Sequence, residues 1–156
     1  MARIYLGLGS NLGDKEANLK QAIKYIEKQI GPIVALSVFF VSEPWGFESK
    51  NHFLNACVAA ETMINPKRCL SAIKAIEASL GRPKKTSGPY MDRVIDLDIL
   101  FYDDLVLEGP ELVIPHPLLH QRRFVLKPLM EIAPNLVHPV LGKTISELLF
   151  DLNEQS

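Results

Sequence analysis

Two cysteines, one tryptophan and a net charge of −1 are what this 156-residue chain offers where other classes of protein are rich. Cys57 and Cys69 are too few for a framework of bridges, and both lie in apolar patterns that read as buried thiols. No apolar run approaches the ~20 residues needed to span a bilayer, and no charged-then-apolar leader is recognisable. A reducing cytoplasm is the expected home. Seventeen basic residues against eighteen acidic ones imply no general affinity for nucleic acid or membrane. Zinc-type cysteine and histidine spacings and a nucleophile elbow are missing. Gly7, Gly9 and Gly13 approach a dinucleotide fingerprint, but Leu12 stands where G-x-G-x-x-G needs its last glycine. With no G-x-x-x-x-G-K-[ST] either, a phosphate site has to be built from side chains and metal.

What the chain does have is Arg93-Val-Ile-Asp-Leu-Asp-Ile-Leu100. Asp96 and Asp98 alternate with Ile95, Leu97 and Ile99, so a β-strand would place both acids on one face, about 7 Å apart at the backbone. Two ionised carboxylates so close repel each other unless a cation lies between them. Oxygen-rich carboxylate sites suit Mg²⁺, and Arg93 adds a fixed positive charge, the combination that holds a polyphosphate. The plain alternative is an amphipathic strand with one wet face. The apolar flanks, from Val94 to Phe101, predict an interior strand, where acids need partners or a metal.

Length and a hydrophobic content of 47% predict one domain over 1–156 with a real core. Residues 3–9 read as a first strand and 10–14 as a capping turn. Leu19, Ala22, Ile23, Ile26 and Ile30 follow at helical spacing up to Gly31-Pro32. Residues 33–41 and 53–62 read as second and third strands, with a loop between them. Asn65-Pro66 opens a helix that Gly81 closes. Residues 82–92 form a loop, and the Asp96 strand follows to about Tyr102. A short strand pair is expected within 105–114, a short helix over 123–132 interrupted or kinked by Pro128, and a last helix opened by the capping-box pattern Thr144-Ile-Ser-Glu147. The order β, α, β-β, α, β predicts an α+β fold, a ferredoxin-like layered sheet with helices, mostly antiparallel.

Among the histidines, His116 stands out because Pro115 and Pro117 fix its position and Arg122 follows. Basic residues gather at Arg82, Lys84, Lys85 and Arg93, and again at Arg122, Arg123 and Lys127; a solvated surface is the plain reading of each cluster. Trp45 and Phe53 flank a loop and suit core packing or a flat heterocycle. Asn55, beside Phe53, could read ring nitrogens.

Gly9-Ser-Asn-Leu-Gly-Asp14, Phe53-Leu-Asn-Ala56, the Asp96 octet and Ile114-Pro-His-Pro117 occur in that order. With them the chain resembles, over essentially its whole length, the 6-hydroxymethyl-7,8-dihydropterin pyrophosphokinases of folate biosynthesis. The resemblance implies transfer of the terminal pyrophosphoryl group of ATP to 6-hydroxymethyl-7,8-dihydropterin, releasing AMP, by a monomer. It implies two Mg²⁺ ions on Asp96 and Asp98, and catalytic basic residues Arg82 and Arg93 closing over the triphosphate. Glu77, Lys84, Tyr90, His116 and Arg122 would line the nucleotide site. Ser42, Trp45, Phe53, Asn55 and Phe124 would form the pterin pocket, with Phe53 and Phe124 stacking on the ring.

Three departures bear on that assignment. Lys84 stands where arginine is frequent and cannot clamp bidentately. Tyr90-Met-Asp92 brings a negative charge near the triphosphate path, and Trp45 is bulky for its place. Two alternatives stay open on sequence. One is another Mg-dependent phosphoryl or nucleotidyl transferase; the other is a non-catalytic ferredoxin-like ligand-binding domain that needs neither acid.

Overall fold

A computed structural model describes residues 1–43, 51–81 and 93–155. Among these residues, β1 (Ala2–Ser10), β2 (Ile33–Leu36), β3 (Phe40–Ser42), β4 (Phe53–Thr62) and β5 (Asp96–Tyr102) form one sheet. Its order is β2-β4-β1-β5, with β3 also on β4, and every pairing is antiparallel. Helices α1 (Lys15–Gln29) and α2 (Pro66–Ser79) lie between strands in the chain. The expected ferredoxin-like α+β layer is therefore what the described residues form.

Strand alternation divides the sheet into two apolar faces. Ile4, Leu6, Leu8, Ala56, Val58, Ala60, Leu97 and Ile99 pack against Leu19, Ala22 and Ile26 of α1 and Cys69, Ile73 and Ile76 of α2. The other face presents Tyr5, Cys57, Ala59, Leu100 and Phe101 to α3 (Arg123–Ile132) and α4 (Ile145–Glu154), through Val125, Leu126, Leu129, Ile145 and Leu148. Successive side chains of a strand take opposite sides, so the two sets interleave along β1 and β4. A bulge disturbs this in β5: Tyr5 pairs with Phe101 but Leu6 with Ile99, leaving Leu100 as the extra residue. Leu100 and Phe101 thereby both reach the α3 face.

Local signals set most boundaries. The Asp14 and Asn65 side chains accept from Ala17 and Arg68 N–H and cap α1 and α2. Thr144 and Glu147 form the full capping box of α4. A methyl at Gly31 would lie 1.8 Å from the Glu61 carbonyl oxygen, so only glycine lets the chain leave α1 there. The short pair is β6 (Leu107–Glu108) with β7 (Val113–Ile114), and α3 runs through Pro128 without interruption.

Two expectations need correction. The strand read over 33–41 is two strands, because the chain breaks away between Leu36 and Phe40. There Ser37 exchanges bonds with Cys57 (Ser37 N–H to Cys57 O, 3.0 Å; Cys57 N–H to Ser37 Oγ, 3.0 Å). Glu131 of α3 accepts the Val38 N–H at 2.7 Å. The Asp96 strand, read as interior, is the last strand of the sheet order. Its apolar composition reflects two covered faces, and its outer edge is met by the Glu77 carboxylate, which accepts the Leu97 N–H at 2.9 Å.

Candidate active site

Past the N-terminal end of α3, the α3 face of the sheet is open, and a cavity of about 370 Å³ lies there and extends at the β5 edge to Leu70, Ile73, Lys74 and Glu77 of α2. Its floor is ordered by strand register. Asn55, Gly9 and Asp96 stand in one cross-strand row; Cys57, Gly7 and Asp98 stand in the next. The side chains of Asn55 and Asp96 thus share one face, their backbones about 10 Å apart as two strand spacings of roughly 4.8 Å. Gly9 stands between them in that row.

On the acidic side, Asp96 and Asp98 are partly exposed to the cavity, at 37% and 36% of their side-chain surface. The alternation read from sequence holds: Leu97 and Ile99 turn into the opposite core. Arg93 Nη1 lies 3.8 Å from Asp96 Oδ1, with the guanidinium almost wholly buried. His116 Nε2 lies 3.9 Å from Asp98 Oδ1. Burial first, and then the charge of Arg122, push the His116 pKa down to about 4 against the pull of Asp96. The ring is therefore neutral at pH 7, and its contact with Asp98 is not an ion pair. Its Nδ1 accepts the Leu118 N–H at 3.2 Å, which leaves the proton on Nε2, toward Asp98. The backbone N–H of His116 donates to Leu100 O at 3.1 Å and ties the Pro-His-Pro segment to β5.

On the far side of the glycines, Asn55 donates from Nδ2 to Ser42 Oγ at 2.6 Å and to Phe40 O at 3.3 Å. Those bonds fix its amide, and its Oδ1 lies over Gly9. Phe53 and Phe124 also line the cavity. The Arg122 guanidinium carbon sits 5.5 Å from the Phe124 ring centroid, a cation–π contact that covers one ring face. Arg122 and Phe124 flank the start of α3, so the positive end of that helix faces the cavity.

The described residues therefore bring together Arg93, Asp96, Asp98, Glu77, His116, Arg122, Ser42, Phe53, Asn55 and Phe124 around one space. Arg82, Lys84, Tyr90 and Trp45, with Lys85 and Asp92, fall outside the described residues. The second basic cluster divides: Arg122 turns into the cavity, while Arg123 donates to Asn153 Oδ1 on α4. Glu77 is nearly buried and holds the β5 edge as well as lining the cavity. Lys74 was not singled out from sequence, yet it lines the same wall with Leu70 and Ile73. Its spacing, one turn before Glu77, was the available signal.

Residues 5–134 match the family model described as 7,8-dihydro-6-hydroxymethylpterin-pyrophosphokinase. The chain belongs to this pyrophosphokinase family. Among curated relatives, the 2-amino-4-hydroxy-6-hydroxymethyldihydropteridine pyrophosphokinase of Porphyromonas gingivalis is 46% identical over 141 residues, covering 89% of this chain and 95% of that protein. The enzyme of the same name from Methylorubrum extorquens is 43% identical over 155 residues, covering 98% of this chain and 95% of its own. The fold matches that of a Plasmodium falciparum HPPK-DHPS triple mutant with a TM-score of 0.81 at 19% identity. That match covers 99% of this chain and 44% of the solved one, so the chain spans under half the length of that larger protein.

Whether the acids fit the magnesium expected of the family is a matter of donor type. Among the described residues no cluster of three or more His, Cys, Asp or Glu could enclose a metal. Two oxygen-donor carboxylates opening onto a cavity do fit Mg²⁺, which keeps water and substrate phosphate in its shell and rarely occupies an all-protein cage. Among the described residues no helix is long and apolar enough to cross a membrane.

Proposed function

We propose that this chain joins ATP and 6-hydroxymethyl-7,8-dihydropterin at the cavity above β1, with the pterin over the Asn55 side and the triphosphate over the Asp96 side. The observation that carries this reading is the pair of cross-strand rows. They set an amide that can read a heterocycle and a carboxylate pair that can hold cations on one face, with Gly9 standing between Asn55 and Asp96. Residues 1–156 are read as one domain working as a monomer in the cytoplasm, with no role in binding nucleic acid.

The reaction is an in-line displacement. The pterin hydroxymethyl oxygen attacks the β-phosphorus, the bond from that phosphorus to the α–β bridging oxygen breaks, and AMP leaves with that oxygen while the hydroxyl proton goes to solvent. Asp96 and Asp98 would hold two Mg²⁺, whose chemistry is to neutralise phosphate charge and favour the ionised hydroxyl. The protein's part is positioning and fixed charge. Asn55 orients the pterin ring, held by Ser42. Phe124 offers the ring face that Arg122 leaves open, and Phe53 closes the other side. Arg122, Arg93 and the N-terminal end of α3 favour phosphate charge. Neutral His116 donates from Nε2 without adding charge beside Asp98. Glu77 fixes the edge of β5 and, with Lys74, walls the nucleotide side. Arg82, Lys84, Tyr90 and Trp45 keep the roles inferred by resemblance, the first three around the triphosphate and nucleotide and the last over the pterin.

The test is product analysis with purified protein, Mg²⁺, ATP and the reduced hydroxymethylpterin. AMP and the pterin diphosphate are expected to form in equal amounts, only when all three are present. ADP as the product, or no turnover, would overturn the assignment.

A further inference from the structure

Gly7 and Gly9 were left over once a dinucleotide fingerprint was excluded, and the fold gives them a different meaning. Both lie inside β1, where glycine is a weak strand former and packs nothing. Neither has a positive φ, so the backbone conformation does not require glycine at either position. Glycine in a strand interior then marks a bulge nearby or a close approach from outside the strand, and the β1–β5 bulge lies beside Gly7 rather than Gly9.

The two positions differ in what surrounds them. A methyl at Gly7 would meet the side-chain carbons of Leu100 at 3.5–3.7 Å, an ordinary contact. A methyl at Gly9 would lie 3.3 Å from Asn55 Oδ1 and 3.4 Å from Phe53 Cδ1. The Asn55 side chain has little freedom to give way, being almost fully buried and tied to Ser42 and Phe40. Gly9 also stands between Asn55 and Asp96 in the row that joins the two halves of the cavity.

We propose that Gly9 is a specificity-determining residue of the acceptor site. Its missing side chain keeps the Asn55 amide and the Phe53 ring in place. The inference rests on the pterin reading given above. Gly7, whose nearest neighbours are Leu100 carbons at ordinary contact distance, has no such role.

Gly9→Ala and Gly7→Ala, compared with the wild type in thermal melting and in steady-state kinetics with each substrate varied, test this. Gly9→Ala is expected to raise KM for the pterin by about tenfold or more, with KM for ATP within about twofold. Its melting temperature should be unchanged or higher, since alanine loses less backbone entropy than glycine on folding. Gly7→Ala should stay within about twofold of the wild type in both KM values. A Gly9→Ala pterin KM within about twofold of the wild type overturns the inference. A variant that fails to fold, or melts lower with both KM values raised alike, overturns it too, because the glycine would then serve the strand alone. A wild type that forms no AMP would instead defeat the pyrophosphokinase reading itself.

Discussion

Asp98→Asn removes one charge and almost no volume, so it separates the electrostatic role of the carboxylate from its shape. A carboxylate and a divalent cation about 4 Å apart attract by about 8 kcal/mol at an effective dielectric of about 20. The Asp98 side chain is 36% exposed, and solvent screening of a group so open removes half or more of that. About 3–4 kcal/mol remains, which corresponds to a loss of about 100-fold to 1,000-fold in turnover. Asp96→Asn should lose as much, with one difference. Asp96 faces the buried guanidinium of Arg93 at 3.8 Å, whereas Asp98 faces a neutral imidazole. Asp96→Asn should therefore also cost up to about 1 kcal/mol of stability. The assay is AMP formation across a Mg²⁺ titration, with circular dichroism and thermal melting on the same preparations. β5 is held by Ile95, Leu97 and Ile99 in the opposite core, so both variants should stay folded. Turnover within about tenfold of the wild type in a folded Asp98→Asn variant would refute the argument that these acids act by charge.

Phe124→Ala should weaken pterin binding more than nucleotide binding, as measured by titration with each ligand alone; equal losses would contradict the stacking role. Phe101 is fully buried and packs edge-on to Tyr5 and His138, with centroids at 6.1 and 5.7 Å. Phe101→Ala should cost about 3–5 kcal/mol, read as a drop of about 10 °C in Tm; a drop of a degree or two would show that the α3 face collapses around the cavity. His138 Nδ1 accepts the Val140 and Leu141 N–H groups, and burial, then the charge of His120, push its pKa below the ordinary 6.5. The unfolded chain therefore takes up a proton as pH falls through about 6.5 while the folded chain does not, so stability is full above that pH and declines below it until the folded group titrates. His116, lowered to about 4, acts in the same direction. Melting at about pH 7.5 and about pH 5 should show this decline, and His138→Asn, whose carbonyl can accept the same bonds, should reduce it; an unaltered decline in that variant would refute the assignment.

Much of the fold was legible because its signals are local. The bounds of β4 match the read 53–62, and Asn65-Pro66 and the Thr144 capping box open helices where expected. The break at Ser37 was not legible, since Ser37 bonds to Cys57 across the sheet and Glu131 reaches Val38 from α3. Nor could β5 be placed at the end of the sheet order from its composition, because a strand covered on both faces is apolar whether or not it has two neighbours. At the site, Asp96, Asp98, His116 and Asn55 were visible as residue types in tell-tale patterns. Where Lys74 would lie and what Gly9 would pack against were not, because both depend on what stands opposite.

Period-two alternation settled on the sequence alone that Asp96 and Asp98 would share one face, since successive strand residues must point to opposite sides. The same rule put Asn55 and Cys57 together on β4. Which strand would lie between these pairs, and in what register, depends on hydrogen bonds between segments roughly fifty and roughly ninety residues apart in the chain. Only tertiary pairing could decide that a glycine would stand between the amide and the acid, with the Asn55 amide and the Phe53 ring packed against it.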